Sequence, residues 1–370
     1  MIFGFLFAIC FNPYIWTAAT QPRWSFLAIA LPVMIWRNQY SAPNNCSIIQ
    51  ILGLTFIGWA ALSLTWTPNL PDGLNGLIQL LIGAEAFLLG ARLPTLKPIF
   101  MGLAAGLTIS SLIIISPLMA LIPHQPISIH LEGLLGNRNM LAEAAALTAI
   151  GIIGYRLWWF IPGLLPAILM PPMARGAIVG GLTAALIWLW SRSRILAGLF
   201  ALLSIFAIAI LIDQRSATVL ERWHIWTDTV QGLTFLGHGI GSYYFLYPFI
   251  NNTFDISLAR PEHPHNEILE VWFELGAIGV CLFAGLVAAA YRVANHVCRC
   301  VLAAFVTIGM FAFPSHVPFS AFIAALVIGH TARNGLSIWS EHELGGSGLR
   351  KWHGRKPSYQ EPGGQLPYRG

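Results

Sequence analysis

The sequence predicts an all-α, polytopic transmembrane protein of about 12 spans, and three observations carry that prediction. Hydrophobic residues make up 56% of the 370 residues and charged residues only 9%, whereas a soluble domain carries about 25% charged residues. Mean hydropathy is +0.68. The apolar residues also gather in long runs bounded by Pro, Gly, Asn or charge, and inside lipid only helices or closed barrels satisfy every backbone polar group.

The runs fall at about 2–18, 24–36, 48–65, 74–91, 97–118, 139–155, 157–171, 175–191, 194–212, 268–291, 297–313 and 316–331, with several shorter than the roughly 20 residues of a full span. The first is apolar from Ile2 and lacks a basic n-region, so it reads as a span and not as a cleaved signal peptide. Runs six and seven meet at a very short turn near Arg156. Between runs nine and ten lies one long loop, 213–267. After the membrane domain, 1–331, the stretch 332–370 is rich in glycine and basic residues and reads as a polar, disordered tail. No solenoid-type repeat occurs.

Orientation follows from the 20 basic residues, because Lys and Arg close to spans favour the cytoplasm. With both termini cytoplasmic, that side holds Arg37, Arg92, Lys97, Arg156, Arg192, Arg194, Arg292, Arg299, Arg333 and the tail cations. The outer side then holds Arg23, Arg138, Arg175, Arg215, Arg222 and Arg260, with no lysine. Arginines placed against the topological bias invite a functional reading, since the guanidinium fork suits phosphate. Basic residues dispersed over loops offer no nucleic-acid surface. Scattered cysteines, none of them in an outer loop, predict no structural disulfide.

The long loop opens with 218–231, an amphipathic helix with Leu220, Trp223, Trp226 and Val230 at helical spacing, suited to a membrane surface. Gly237, Gly239 and Gly241 come next, in a tight turn; without a preceding strand they do not signal a dinucleotide fold. The loop closes with 261-PEHPHNEILEVWFELGAIGV-280, where His263, His265, Glu262, Glu267, Glu270 and Glu274 crowd together. Asn266 reads as an N-cap and Glu267 as a first-turn acid. Glu267, Glu270 and Glu274 share one helical face, so a structural role is expected of them, Glu274 either pairing with an outer arginine or simply stabilising the helix, with pairing favoured. His263-x-His265 with Glu262 or Glu267 lacks a third metal ligand at a characteristic spacing, so no metal is expected. Glu85 and Glu143 are further intramembrane carboxylates, and Glu143 sits one turn inside its helix as a candidate supporting residue. A histidine suits proton removal near neutral pH.

As a set, Arg222-x-x-x-Trp226, Gly237-x-Gly239-x-Gly241 and 265-HNEILEVWFELGAIGV-280 resemble the O-antigen ligase and O-antigen polymerase superfamily of integral membrane glycosyltransferases. Upstream, Gly133, Asn137 and Asn139 are similar to the family's Gly-x-x-x-Asn-x-Asn helix start. The run 174-ARGA-177 is similar to its Ser-Arg-Gly-Ala, with alanine in place of serine. The resemblance covers about 130–291.

The resemblance implies a multispan enzyme of the bacterial inner membrane. Its active site would lie on the periplasmic face, moving a glycan from an undecaprenyl-diphosphate carrier to a hydroxyl. A ligase uses lipid A–core as acceptor; a polymerase uses another carrier-bound repeat. The His-Asn pattern with a single long outer loop favours the ligase. His265, Arg222 and Arg175 are then the expected catalytic residues, with His265 either deprotonating the acceptor or only positioning it, and Arg138, Asn137, Asn139, Asn266, Gly239 and Gly241 the substrate-binding ones. No cofactor is expected, because arginines can supply the positive charge that metals give other phosphate chemistry. A secondary transporter is the rival reading, but its commonest twelve-span type splits into two related halves, and this chain splits nine and three around its loop. An assembly protein with a degenerate site is the third, against which the retained Arg175, Arg222 and His265 argue.

Overall fold

The computed structural model describes residues 1–11, 20–38, 47–115, 133–169, 174–213, 216–250 and 261–345. Among these residues every regular element is helical and no strand occurs. In chain order the helices are α1 (Ile2–Ile9), α2 (Thr20–Arg37), α3 (Ile48–Ser63), α4 (Leu70–Arg92), α5 (Lys97–Ile115), α6 (Arg138–Gly154), α7 (Ile161–Leu169), α8 (Arg175–Trp190), α9 (Arg194–Asp213), α10 (Ser216–Gln231), α11 (Tyr243–Ile250), α12 (Glu267–Val293), α13 (His296–Gly309) and α14 (Pro318–Gly345).

Each apolar run of the sequence overlaps a helix, and the amphipathic stretch 218–231 lies within α10. Two expectations change. Helix α14 continues through Gly345, so the first part of 332–370 is helical, and 346–370 lies outside the described residues. Arg23 is buried, not poised for phosphate: its guanidinium donates to the carbonyls of Ala8 at 2.9 Å and Leu134 at 3.2 Å. Arg215, Arg260 and Cys46 lie outside the described residues.

Three stretches, Leu70–Arg92, Lys97–Ile114 and Glu267–Val293, are long and apolar enough to cross a membrane. Shorter apolar helices accompany them, α3, α8 and α13 among them. Their outward side chains, such as Ile78 and Leu81 on α4 and Leu199, Leu202 and Leu203 on α9, are exposed, an exterior better matched to lipid than to water. Polar caps start the helices: Ser47 forms a capping box with Gln50, and the side chains of Asn69, Asn137, Asn266 and Asn295 accept first-turn N–H groups of α4, α6, α12 and α13.

The principal helix pairs are α4 with α14, α1 with α5, α8 with α13, and α3 with α12. Glycine makes the first pair close. A Cβ on Gly90 would overlap the Leu326 carbonyl of α14, and one on Gly329 would overlap the Phe87 carbonyl of α4, the small-residue contact through which membrane helices approach each other. Phe7 of α1 stacks on Phe319 of α14 at 5.3 Å between ring centres, joining the first and last described helices. The Gly329→Val variant is therefore expected to lose at least about 1–3 kcal/mol through overpacking, read as a lower melting temperature of the detergent-solubilised protein; an unchanged melting curve would contradict this packing.

Candidate active site

Helix α12 is interrupted. Gly276 has φ 69° and ψ −171°, a non-helical conformation inside an otherwise continuous helix, and one that an L side chain rarely adopts. Such a break frees carbonyls and amides that must find partners where water is scarce. The loop after α10 supplies most of them. The amides of His238 and Gly239 donate to the carbonyls of Phe273 and Glu274, both at 2.8 Å, and the Ala277 amide donates to the Phe235 carbonyl at 2.9 Å. Trp59 of α3 donates its indole N–H to the Leu275 carbonyl at 2.8 Å.

The contact needs glycine on both sides. Gly237 has φ 76°, and a Cβ there would overlap the Glu274 carbonyl; a Cβ on Gly276 would overlap the Phe235 carbonyl. Gly239 rests against Thr67 and Gly241 against Asp72 and Gly73 at the start of α4. The structure thus gives Gly239 and Gly241, expected among the substrate-binding residues, a packing role against the α3–α4 connection. Thr67 and Ser63 complete it by bonding the carbonyl and amide of Ile240 at 3.0 Å each.

Helix α10, so anchored, reaches both segments that flank His265. Arg222 donates to the Phe311 carbonyl at 2.8 Å, in the turn after α13. One turn along, Trp226 donates to the Pro264 carbonyl at 2.9 Å, immediately before His265. On the other side, Asn266 caps α12 by accepting the N–H groups of Ile268 and Leu269, both at 3.1 Å. Held between these two contacts, His265 has φ 53°. A left-handed backbone is uncommon in a non-glycine residue, and such outliers gather at functional sites.

The electrostatics of this group are specific. Burial, reinforced by the charges of Arg222 and His263, pulls the His265 imidazole down to about 4, so it is neutral at pH 7. Burial and the neighbouring Arg175 press the Arg222 pKa downward while Glu143 opposes them. Arg175, the first residue of α8, therefore lies within electrostatic reach of Arg222. Glu143 of α6 is buried next to Gly176. A neutral imidazole near the Arg222 guanidinium, itself within electrostatic reach of Arg175, can accept a proton from a hydroxyl while the cations hold an anion.

Below this group lie Glu267, Glu270 and Glu274, all buried on the predicted single face of α12. The bonds found at Glu274 are not the arginine pair expected of it. Its carboxylate accepts the backbone N–H of Tyr243 at 3.2 Å and that of Gly241, donors supplied by the glycine turn. Glu267 accepts the hydroxyl and the amide of Ser315. Glu270 takes both His263 Nδ1 at 2.6 Å and His316 Nε2 at 3.2 Å on one oxygen, Oε1. Burial disfavours a charged His316, but Glu270, with Glu267 and Glu274 behind it, outweighs burial and raises its pKa to about 10.

The structure thus gathers His265, Asn266, Arg222 and Arg175, four of the sequence-predicted residues, with Glu143 in support. Asn137 caps α6 by accepting the amides of Asn139 and Met140. Arg138 starts that helix, and Asn139 is exposed one turn before Glu143. The metal set weighed from the sequence does not assemble: Glu262 is exposed, and the partners of His263 are Glu270 and His316 instead. Sequence reasoning passed over Ser315 and His316 altogether; the only local signal is their place in the proline-flanked turn 313-FPSHVP-318.

An apolar cavity of about 520 Å³ runs along α12 and α13, between Glu267 at one end and Tyr291 at the other, lined by Phe283, Val287, Leu302 and Phe305. In comparisons with known proteins, no family model and no curated protein matches the chain. Replacing Gly276 by Ala forces a side chain into the left-handed region at a cost of about 1–3 kcal/mol and pushes the 235–239 loop off α12. The expected result is a lower melting temperature with faster amide exchange at Gly239 and Ala277; unchanged protection of both amides would contradict the contact.

Proposed function

We propose that this chain is a membrane glycosyltransferase that moves a glycan from an undecaprenyl-diphosphate carrier to an acceptor hydroxyl, of the O-antigen ligase type with lipid A–core as acceptor. The observation that carries the proposal is the convergence of a neutral, conformationally strained His265 with Arg222 and Arg175 at one end of the helical bundle. The twelve-span topology, cytoplasmic termini and 213–267 loop on the periplasmic face of the bacterial inner membrane belong to the same proposal.

The chemistry is that of a displacement at carbon. The acceptor oxygen attacks the anomeric carbon, and the bond from that carbon to the carrier's phosphate oxygen breaks. His265 takes the acceptor proton on an imidazole nitrogen. Negative charge develops on the departing diphosphate, where Arg222 and Arg175 stabilise it without reorganising, because helix α10 and the start of α8 already hold them. One Arg222 nitrogen donates to the Phe311 carbonyl, which fixes the fork's orientation and leaves further N–H donors for the diphosphate. Glu143, buried behind the arginines, supports their placement. The apolar cavity along α12 and α13, beginning at Glu267, suits the hydrocarbon of the carrier.

Single replacement by Ala is expected to lower transfer by about 10²–10⁴ for His265 and by about 10²–10³ for Arg222 or Arg175, seen as loss of long-chain lipopolysaccharide on electrophoresis at normal expression. Unaltered glycan in all three variants would contradict the proposal. Deleting the gene separates acceptors: carrier-linked polymer with bare lipid A–core supports the ligase, and core carrying a single repeat supports a polymerase.

A further inference from the structure

We propose that His263, Glu270 and His316 form a binding site for a divalent transition-metal ion of the zinc type at the head of α12, joining the segment before His265 to the turn after α13. Such a site does not depend on glycosyl transfer, and it departs from the sequence expectation of no metal because the third ligand comes from another turn of the chain.

Geometry is the first support. His263 Nδ1 and His316 Nε2 both face Glu270 Oε1, at 2.6 and 3.2 Å, and one donor atom from each of the three residues lies within 4.8 Å of the others. Around tetrahedral zinc, with bonds near 2.0–2.1 Å, donor atoms stand roughly 3.3 Å apart. The His316 spacing already fits, and His263 needs only to open from hydrogen-bond distance as the ion replaces the shared proton. The rings are supported in place: His263 stacks on Phe313 with centres 4.3 Å apart, and the His263 and His316 rings are also 4.3 Å apart.

The second support is an unsatisfied atom. Glu270 is 2% exposed, yet its Oε2 is buried with no hydrogen-bond partner among the described residues. Buried polar atoms are nearly always satisfied, and an unpaired carboxylate oxygen is costly. A metal held by both carboxylate oxygens answers that deficit while keeping the Oε1 spacing to both histidines.

Charge is the third. Glu267, Glu270 and Glu274 are buried within two turns of one another, and the groups facing them are Ser315, His263, His316 and the backbone of Gly241 and Tyr243. These are hydroxyl, amide and imidazole donors, and only the imidazoles can carry positive charge. A dication offsets this accumulation of negative charge more fully than imidazoles sharing protons can. The donor set selects the metal, since two imidazoles and one carboxylate suit zinc-type ions, whereas magnesium and calcium prefer oxygen alone. Three protein ligands leave a fourth position for water or a ligand oxygen.

The test uses the full-length protein in detergent, stripped with chelator and titrated with Co²⁺, then Zn²⁺. The expected result is one equivalent of Co²⁺ bound, with the visible absorption of a tetrahedral site, and its displacement by Zn²⁺. Binding should weaken about tenfold or more in Glu270→Gln and in His316→Ala. It should stay unchanged in His296→Ala, whose ring contacts Ser191 at 3.5 Å. If a variant does not fold, the wild-type titration alone decides. Absence of saturable binding by wild type overturns the proposal, as does binding that both site variants retain, which is a surface ion only. Metal binding without transferase activity would leave the metal site standing and sink the functional proposal; transfer by a protein that binds no metal would do the reverse.

Discussion

The break at Gly276 is the constraint on which the site depends. A helix in an apolar setting cannot leave backbone groups unpaired, so an interruption in α12 must be matched by another piece of chain. The 235–239 strip is that piece, and its amides and carbonyls meet those of Phe273, Glu274 and Ala277 directly. Because two backbones touch, both sides must be glycine at the contact, Gly237 on one and Gly276 on the other. The consequence is mechanical: the strip fixes α10, α10 carries Arg222 and Trp226, and those two side chains hold the carbonyls of Phe311 and Pro264 on either side of His265. The unusual backbone of His265 is imposed from outside, by Trp226 before it and the Asn266 cap after it.

A second constraint is charge. Three carboxylates buried on one face of α12 would be prohibitive without partners, and each has found a different kind: a serine and its amide for Glu267, two histidines for Glu270, backbone amides of the glycine turn for Glu274. These partners answer the glutamates locally, one turn of α12 at a time. The buried glutamates and the arginines near His265 thus form separate layers, acidic groups serving structure and the proposed metal below, basic groups serving the proposed diphosphate above.

Much of this was legible in the sequence. Long apolar runs state their helices plainly, and the spacing of Leu220, Trp223, Trp226 and Val230 located α10. Spacing also put Glu267, Glu270 and Glu274 on one face, because helical periodicity is local. His265, Arg222 and Arg175 were legible only through a resemblance between motifs, a weaker warrant, and their meeting in space is what the structure adds. The illegible part is long-range. Ser315 lies 48 residues from Glu267, and only the α12–α13 hairpin returns that turn to the head of α12, so His316 could not be seen as a partner of His263. Nor does a G-x-G-x-G run announce that its glycines fit a broken helix; taken alone, they indicate only a tight turn, and the substrate-binding expectation for Gly239 and Gly241 comes from the resemblance. The buried end of Arg23 was misread for a similar reason, since an arginine's place in the charge pattern does not reveal that two carbonyls already occupy it.

Transfer carried out by His265 with Arg222 and Arg175 is the central claim, and reconstitution tests it most directly. Purified protein in lipid nanodiscs, given an undecaprenyl-diphosphate-linked glycan and lipid A–core with no nucleotide, should produce glycan-bearing lipid A–core and free undecaprenyl diphosphate in equal amounts. Carrier consumed without a glycan on any acceptor, or no consumption by a folded protein supplied with both substrates, would contradict it.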